Sequence, residues 1–353
     1  MGSLTSTDST KTDDVQASSI RLQAPELESK QRLAAKLLTL TPLHKLPPKL
    51  FRPVYSAMDR LLGLSKIEIA KVIDSSIAIT SQPHKTSAKT IKLRAYYPVF
   101  QKADGVDKVK TAQKTLVYFH GGGCVIGSID THDRFCRFLA NHGKMNVISV
   151  NYRLAPEHKF PSPICDAIEA WNHVNENHQQ LHINPNHIGI GGDSAGAYLA
   201  CIIGLTHVQN ELPVIAKTQP EFQFLIYPML DLQGLTESYR KFDKQLILTR
   251  TLMDYFRDHY LNSLNEISQP LVSPLLIKDI SQSPKTYLLT LGYDPLRDDG
   301  ITYATRLKNA EVITHHQHFD DCMHGFISIT KTSARAKQAC HQIAMALNKF
   351  NDE

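Results

Sequence analysis

The stretch between residues 187 and 204, HIGIGGDSAGAYLACIIG, constrains the fold more than any other part of the chain. An apolar run leads into small and polar residues and then into a second apolar run, which predicts a strand, a tight turn and a helix with Ser194 at the apex. In such a G-x-S-x-G turn the serine backbone is strained, and larger flanking residues would clash where strand meets helix. Gly192 and Gly196 meet that demand. The turn also places Ser194 at a helix N-terminus, where free N–H groups stabilise negative charge.

Glycine-rich turns between a strand and a helix also bind nucleotides, and this alternative has its own residue requirements. The run Gly191 to Gly196 fits G-x-x-x-x-G, but Ala197 and Tyr198 stand where a phosphate-binding loop has Lys and Ser or Thr. A second run that starts at Gly189 reaches Ser194 where the dinucleotide fingerprint needs its third glycine. Taken alone, the turn leaves a serine nucleophile and a merely structural turn both open.

Strand and helix patterns alternate on both sides of this turn. Runs such as TLVYF and FQFLIY are apolar throughout, which is typical of strands that are covered on both faces in a mostly parallel sheet. The pattern predicts an α/β fold with a mostly parallel eight-stranded sheet flanked by helices, with ligands at the carboxyl ends of the strands. The predicted strands lie at about residues 71–80, 90–98, 115–119, 146–152, 187–191, 222–227, 287–291 and 312–319.

The chain divides into segments of different composition. Residues 1–20 are rich in Ser, Thr and Asp and are predicted to form a disordered tail. Residues 21–69 contain two proline-separated helical patterns, and the second is apolar on more than one face. Residues 70–353 form the predicted catalytic domain, interrupted at about 231–270 by an amphipathic helical pattern, LILTRTLMDYFRDHYL. We expect the N-terminal helices and this insertion to form a helical cap.

Composition excludes several classes of protein. The net charge of +5 (39 minus 34) is small for 353 residues and does not lie in basic runs, so we expect no nucleic-acid partner. The N-terminus lacks a signal-peptide pattern, and no apolar run approaches the length of a bilayer span, so we expect no stable membrane insertion. Six cysteines are scattered without C-x-x-C pairs, which favours free thiols in a reducing compartment and a cytoplasmic location.

A serine nucleophile needs a base, and the base needs an orienting carboxylate. In strand-turn-helix sites of this kind the chain order is Ser, then Asp or Glu, then His. Asp294 follows the predicted strand YLLTL, 100 residues after Ser194, and His324 follows the next strand, 30 residues further on. Both side chains are therefore expected at the carboxyl ends of strands, and we assign them as the acid and the base.

Other acids and histidines lie close to these two positions. Asp298 and Asp299 are expected in the first turn of a helix, where the dipole stabilises acids. In the last strand, Thr314, His316, His318 and Asp320 share one face, which leaves open a metal site or a hydrogen-bonded strand face. No H-E-x-x-H or Cys/His framework supports the metal, and we predict none. The remaining rivals are Asp321 and His315.

Acyl transfer passes through an oxyanion that needs hydrogen-bond donors. The run His120, Gly121, Gly122 and Gly123 directly follows the strand TLVYF, 74 residues before the serine. Glycines let the main chain pass close to a substrate and turn N–H groups toward one point. Together with the N–H of Ala195, they are predicted to form the oxyanion hole.

These motifs resemble those of the hormone-sensitive lipase family of carboxylesterases, in the α/β-hydrolase superfamily. The matching motifs are HGGG at 120–123, YRLAPE at 152–157, FPSPICDA at 160–167, GDSAG at 192–196, SPL at 273–275, DPLRD at 294–298 and HGF at 324–326. The resemblance implies a triad of Ser194, Asp294 and His324. It implies oxyanion donors on Gly122, Gly123 and Ala195, supported by His120, Gly121, Gly192, Asp193 and Gly196. It also implies a small-molecule ester substrate and no cofactor.

The sequence departs from the family pattern at two motif positions. Cys124 follows HGGG where the family often has an aromatic residue, which would reshape a substrate wall. Asp299 replaces a common Glu after DPLRD, and we expect this change to be harmless because either acid suits a first helical turn.

The resemblance implies hydrolysis of short- to medium-chain acyl esters through an acyl-enzyme. An amidase or deformylase with the same triad is an alternative. So is a non-catalytic receptor of this fold, like the plant gibberellin receptors, which lack the triad histidine. Oligomeric state is left open, a homodimer included. We expect four large apolar residues to pack in the core rather than line a pocket, namely Tyr198, Phe222, Leu246 and Leu248.

Overall fold

The computed structural model of the chain describes residues 26–39, 42–81, 90–98, 113–244 and 246–350. The predicted tail at 1–20 lies outside the described residues. An eight-stranded sheet forms the centre of the described chain, with strands in the spatial order β1-β2-β4-β3-β5-β6-β7-β8. The strands are β1 (Lys71–Ala78), β2 (Thr90–Tyr97), β3 (Gln113–Phe119), β4 (Asn146–Asn151), β5 (Ile183–Asp193), β6 (Phe222–Ile226), β7 (Lys285–Tyr293) and β8 (Thr314–Met323).

The sheet is mostly parallel. β2 runs antiparallel to both of its neighbours, β1 and β4, while every pair from β4 through β8 is parallel. The carboxyl ends of β3, β5, β7 and β8 therefore meet at one edge. The predicted fold class is confirmed, and this edge is where ligands of such sheets bind.

Helices cover both faces of the sheet. On one face lie α3 (Ile129–Gly143) and α9 (Ala334–Phe350). On the other lie α4 (Ser162–Glu176), α5 (Ala195–Gly204) and α8 (Arg297–Asn309). Each layer buries its own cluster of apolar side chains against the sheet.

Side chains along β3 alternate between these two layers, as the pleat of a strand requires. Leu116 and Tyr118 belong to the cluster with α3 and α9, whereas Val117 and Phe119 belong to the cluster with α4, α5 and α8. All four are buried. The run TLVYF is apolar throughout because both faces of the strand are covered.

Four helices lie outside these layers, in the two segments predicted to form a cap. They are α1 (Ser29–Thr39) and α2 (Pro48–Leu62) at the N-terminal end, and α6 (Glu237–Lys241) and α7 (Arg250–Tyr260) between β6 and β7. None of the helices in the described residues is both long enough and apolar enough to cross a bilayer.

Two helices begin later than their sequence patterns predict, each because a polar side chain caps it. The pattern over residues 246–261 predicts one helix, but α7 starts four residues later, where the Thr249 hydroxyl accepts the N–H of Leu252 at 3.3 Å. The sequence pattern also predicts a final helix over about residues 328–349, but α9 starts at Ala334, where the Ser333 hydroxyl accepts the N–H of Ala336 at 2.9 Å. Satisfying these free N–H groups fixes the start of each helix.

Candidate active site

The turn at Ser194 joins the end of β5 directly to the start of α5. Ser194 has φ 54° and ψ −117°, a left-handed backbone that a non-glycine residue adopts only under strain. A Cβ atom on Gly192 or on Gly196 would overlap the carbonyl oxygen of Phe119. Both flanking glycines are therefore required by the packing of this turn against β3, as the sequence pattern predicts.

Ser194, His324 and Asp294 lie together at the carboxyl edge of the sheet. The His324 Nε2 atom is 3.0 Å from the Ser194 hydroxyl, and its Nδ1 atom is 2.7 Å from the Asp294 carboxylate. The other Asp294 oxygen accepts the N–H of Leu296 at 2.8 Å, which holds the carboxylate in place. All three side chains are buried. The carboxylate, the imidazole and the hydroxyl form a continuous hydrogen-bonded chain, which we call the relay.

The rival acids have other partners. Asp298 accepts the N–H of Ser238 at 2.8 Å and pairs with Arg297, in the first turn of α8. Asp321 pairs with Arg335, and Asp320 is exposed. Their positions agree with the choice of Asp294 as the partner of the histidine.

Asp299 lies in the first turn of α8, as predicted, but its side chain is fully buried. Burial first, and then the charge of Asp231, raise the pKa of Asp299 well above its usual range. Burial thus opposes the ionisation of this acid, in contrast to an exposed acid at a helix start.

The histidines of β8 are arranged as a hydrogen-bonded strand face. The Thr290 hydroxyl on the neighbouring strand lies 2.8 Å from His316 Nε2 and 2.8 Å from His318 Nδ1. His315 contacts the ring of Phe350. Within the ranges that the structure describes, no three potential ligand side chains come together as a metal site would require.

The HGGG run forms a tight turn beside the serine. Gly122 has φ 117° and Gly123 has φ 61°, values that favour glycine. The Gly122 carbonyl accepts the N–H groups of Val125 and Ile126, at 3.0 and 2.9 Å, which fixes the turn. Gly122 and Gly123 line the same cavity as Ser194 and His324. Ala195 is the first residue of α5, so its N–H is one of the free donors of the helix terminus.

The comparison with known families identifies the chain. A family described as having the alpha/beta hydrolase fold matches residues 116–328. The chain belongs to this family. The matched residues run from β3 to just past His324 and include all three side chains of the relay, so the resemblance seen in the motifs is confirmed.

Relatives of this α/β hydrolase include enzymes named for ester hydrolysis. The carboxylic ester hydrolase LipN of Mycobacterium tuberculosis is 31% identical over 239 residues, which cover 67% of this chain and 63% of LipN. The ethyl acetate hydrolase of Pseudomonas putida is 30% identical over 319 residues, covering 90% of this chain and 94% of the relative. A crystal structure of an alpha/beta hydrolase enzyme from the metagenome of Lake Arreo is 32% identical with a TM-score of 0.82, covering 93% of this chain and 99% of that one.

Asp193, the residue before Ser194, links the glycine turn of this α/β hydrolase to the turn at Ser194. Its Oδ1 atom accepts the Tyr118 hydroxyl at 2.6 Å and the N–H of Gly121 at 2.9 Å, and it lies 3.3 Å from Nε2 of His132. The opposite ring nitrogen of His132 is 2.9 Å from the Thr131 hydroxyl. Asp193 thereby joins β3, the glycine turn and α3 at one buried carboxylate.

None of the sequence motifs includes His132, although its position on the helix indicates that it is buried and needs a polar partner. Positions 132, 135, 136 and 139 lie on one face of α3, and the other three are Phe, Cys and Leu. A histidine on that face is directed into the core, where it needs a polar partner. The helix pattern therefore indicates that His132 is a candidate partner for a buried carboxylate such as Asp193.

The charges of this buried pair support each other. Burial opposes a charge on His132, but the Asp193 carboxylate outweighs burial and raises the pKa of the imidazole. Burial likewise opposes the charge of Asp193, and His132 outweighs it and lowers the pKa of the carboxyl group. His120, by contrast, has its pKa lowered to about 3 by burial and by His132. His120 is therefore neutral. Its ring stacks on that of Tyr152, with 4.3 Å between the two ring centroids.

A cavity of about 450 Å³ opens above Ser194. Leu246 and Leu248 are buried in the core, as predicted, but they also line this cavity, so the prediction that they line no pocket is wrong. Tyr198 and Phe222 are core residues as predicted. The walls are mostly apolar and come from two parts of the chain. The N-terminal wall includes Leu38, Leu43, Phe51, Tyr55 and Met58, and the wall from the insertion includes Ile247, Leu252 and Phe256.

The two walls contact each other and the glycine turn. The Tyr255 hydroxyl donates to the Leu46 carbonyl at 2.9 Å. The rings of Phe51 and Phe256 stack with their centroids 6.4 Å apart. The ring of Phe256 lies so close to Gly123 that any side chain on the glycine would overlap it. The wall therefore rests directly on the turn beside the serine.

Arg52 of α2 joins the N-terminal wall to two loops of the main domain. Its guanidinium donates to the carbonyls of Val125 and Ala155 at 2.9 and 2.8 Å. It also pairs with Glu157 at 2.7 Å. The N–H of Val125 donates to the Gly122 carbonyl, so this single side chain links α2 to the loop that positions Gly122.

Proposed function

We propose that this chain is a serine carboxylesterase that hydrolyses short- to medium-chain acyl esters through an acyl-enzyme. The observation that carries the proposal is the buried relay from Asp294 through His324 to Ser194, with distances of 2.7 and 3.0 Å, at the end of a mostly apolar cavity. The names of its relatives, which include a carboxylic ester hydrolase and an ethyl acetate hydrolase, support the same class of reaction.

In the proposed mechanism, His324 takes the proton of the Ser194 hydroxyl as its oxygen attacks the ester carbonyl. Asp294 holds the imidazole in orientation and stabilises the imidazolium. The N–H groups of Gly122, Gly123 and Ala195 bind the oxyanion. His324 then protonates the leaving alcohol. Water repeats the cycle on the acyl-enzyme, which releases the acid and restores the serine.

We further propose that residues 21–69 and the insertion at about 231–270 act as a cap over the site. The contacts of Phe51 with Phe256 and of Tyr255 with Leu46 support this division, since they join the two segments above the cavity. The cavity volume of about 450 Å³ supports a small substrate. A cytoplasmic location is supported by the six free and buried cysteines.

The relay also bears on the two alternative functions. A non-catalytic receptor does not need a histidine between a buried carboxylate and a serine, so the geometry favours an enzyme. The same relay serves amide hydrolysis, because the attack on the carbonyl is common to both reactions. Matched ester and amide substrates with one acyl group separate these two enzyme classes by their kcat/KM.

The test is hydrolysis of nitrophenyl esters of increasing acyl length by the wild type and by Ser194→Ala. We expect kcat to fall by about 10⁶-fold in the variant, as for the nucleophile of a comparable triad. A fluorophosphonate should label the wild type and fail to label the variant. The matched control is Ser281→Ala, which removes an exposed hydroxyl and should change neither result. Full turnover by Ser194→Ala would reject the proposal.

A further inference from the structure

The net charge of the chain is concentrated in its N-terminal helical segment. Between residues 26 and 66 there are eight basic and three acidic side chains, a net charge of 8 − 3 = +5. The whole chain has the same net charge of +5, so the other 312 residues sum to zero. No basic run marks this segment, because its charges are spread over two helices. The basic residues are Lys30, Arg32, Lys36, Lys45, Lys49, Arg52, Arg60 and Lys66.

Large apolar side chains are exposed on the same two helices. On α2, the exposed fractions are 58% for Leu50, 37% for Val54 and 70% for Leu61. These positions, with exposed Ala57, form a stripe about 60° wide on an α-helix. On α1, Leu33 and Leu37 are exposed by 51% and 58%, one helical turn apart. We call the three large side chains of the α2 stripe, Leu50, Val54 and Leu61, the exposed cap face.

The exposed apolar side chains of each helix border the cavity. On α2, the cavity-lining residues Phe51, Tyr55 and Met58 form a stripe about 100° around the helix from the exposed one. On α1, Leu38 lines the cavity and lies about 100° from Leu37. Apolar surface therefore continues from the inside of the cavity to the outside of both helices.

Basic side chains lie on the other border of the α2 stripe. Lys49 and Arg60 are about 100° from the stripe, on the side away from the cavity. Two bases from the main domain reach the same end of α2, since Arg134 and Lys331 each donate to the Arg60 carbonyl, at 2.7 and 3.1 Å. The helix thus has three adjacent surfaces: cavity wall, exposed aliphatic stripe and basic row.

We propose that the exposed cap face docks on an anionic lipid bilayer. An interfacial helix inserts aliphatic side chains at the boundary of the acyl region and places basic side chains against anionic headgroups. α2 presents these two surfaces side by side. A nucleic acid would leave the leucines unpaired, and it is therefore disfavoured as the occupant. If the proposed esterase function holds, docking brings the cavity next to esters dissolved in the lipid.

The experiment measures sedimentation of the full chain with phosphatidylcholine vesicles, with and without phosphatidylglycerol. The Ser194→Ala protein is used, so the result does not depend on hydrolysis and can fail separately from the proposed function. We expect binding to the anionic vesicles only, and binding should weaken as salt is added. Changing Lys49→Gln should lower the partition coefficient about fivefold, which corresponds to the loss of one basic contact.

Two matched double variants separate the cap face from general hydrophobicity. Leu50→Gln with Leu61→Gln should lower the partition coefficient at least about tenfold. Ile301→Gln with Met345→Gln changes two exposed apolar residues elsewhere, 38% and 57% exposed, and should leave binding unchanged. Absence of binding, equal binding to neutral vesicles, or equal losses in both double variants would overturn the proposal. The proposal would also be overturned if the protein did not bind lipid but formed a dimer, and if the Leu50 and Leu61 changes dissociated that dimer.

Discussion

The catalytic edge of the sheet and the wall of the cavity are built differently. Ser194, Asp294 and His324 are buried and each directly follows a strand, so the sheet fixes their separation. The wall consists of helices outside the two main layers, and several of its side chains, such as Tyr55 and Leu252, are only half-buried. Changes at the edge should therefore alter the chemical step, whereas changes in the wall should alter which substrate binds.

After Ser194→Ala, the largest effect should follow from the acid of the relay. Asp294→Asn keeps the shape of the side chain but favours the wrong tautomer of His324, and we expect kcat to fall by about 10⁴-fold. KM should change little, because no wall residue is altered. The control is Asp320→Asn, an exposed acid near the same histidine, which should retain full activity. Equal losses in the two variants would remove the distinction between them. Steady-state kinetics on one short ester make the measurement.

A substitution at the point where the two regions touch should come next. In Gly123→Ala, the new methyl group would overlap the Phe256 ring and the backbone would be strained at φ 61°. We expect kcat to fall by about 10²- to 10³-fold, the loss associated with one oxyanion donor. Gly143→Ala, at a helix end with an ordinary φ, is the control. If Phe256→Ala restored full activity to Gly123→Ala, the clash alone would account for the loss, and backbone strain would not contribute.

His132→Gln should show that a buried residue outside the relay also affects the chemical step. The change leaves Asp193 without its buried counter-charge, which should lower the stability by about 3 kcal/mol and kcat by about tenfold. Combined with Asp193→Asn, the effects should not add, because the two residues interact. His142→Gln on the same helix is the control. Additive losses would show that the two side chains act independently.

The pH dependence of stability tests the same pair. The pKa of His132 is raised above its ordinary value of 6.5, so its stabilisation is fully present below that value and is lost as the pH rises through the raised pKa. The difference in stability between wild type and His132→Gln should therefore be largest in mild acid and should shrink toward alkaline pH. Chemical denaturation across this range measures it. A difference that grows with pH would contradict the charge assignment.

The smallest effect should come from the wall. Leu252 is half-buried and lines the cavity, so Leu252→Ala should leave kcat on a short ester unchanged and raise the KM of a longer ester by about tenfold. Leu235→Ala, at an exposed position, should change neither constant. An acyl-length series measured on both variants provides the comparison. A uniform loss over all chain lengths would show that the wall acts on catalysis.

The same contrast explains what the sequence could predict. The turn at Ser194 and the glycine turn depend on backbone geometry that only a few residue types allow. Gly192, Gly196, Gly122 and Gly123 were therefore identifiable from short motifs. Central strands such as β4 and β6 were identifiable because both of their faces are buried. The roles of the relay and of the oxyanion donors remain predictions, although the geometry agrees with them.

Features that depend on distant neighbours could not be predicted in this way. Asp299 has the sequence position of a helix-capping acid, and only its packing near Asp231 shows that it is buried and that its pKa is raised. Leu246 and Leu248 have the composition of core residues, and only the packed structure shows that they also line the cavity. The pairing of His132 with Asp193 could not be predicted, because the sequence does not show which buried carboxylate α3 faces.

The triple attachment of Arg52 limits how this protein can be engineered. Exchange of N-terminal segments between relatives is an obvious route to altered substrate range. Here such a graft would take away the donor to the Val125 and Ala155 carbonyls and leave Glu157 without its partner. A chimera should therefore retain an arginine at position 52, whatever else in the segment is replaced, or its gain in range will be accompanied by a displaced glycine turn.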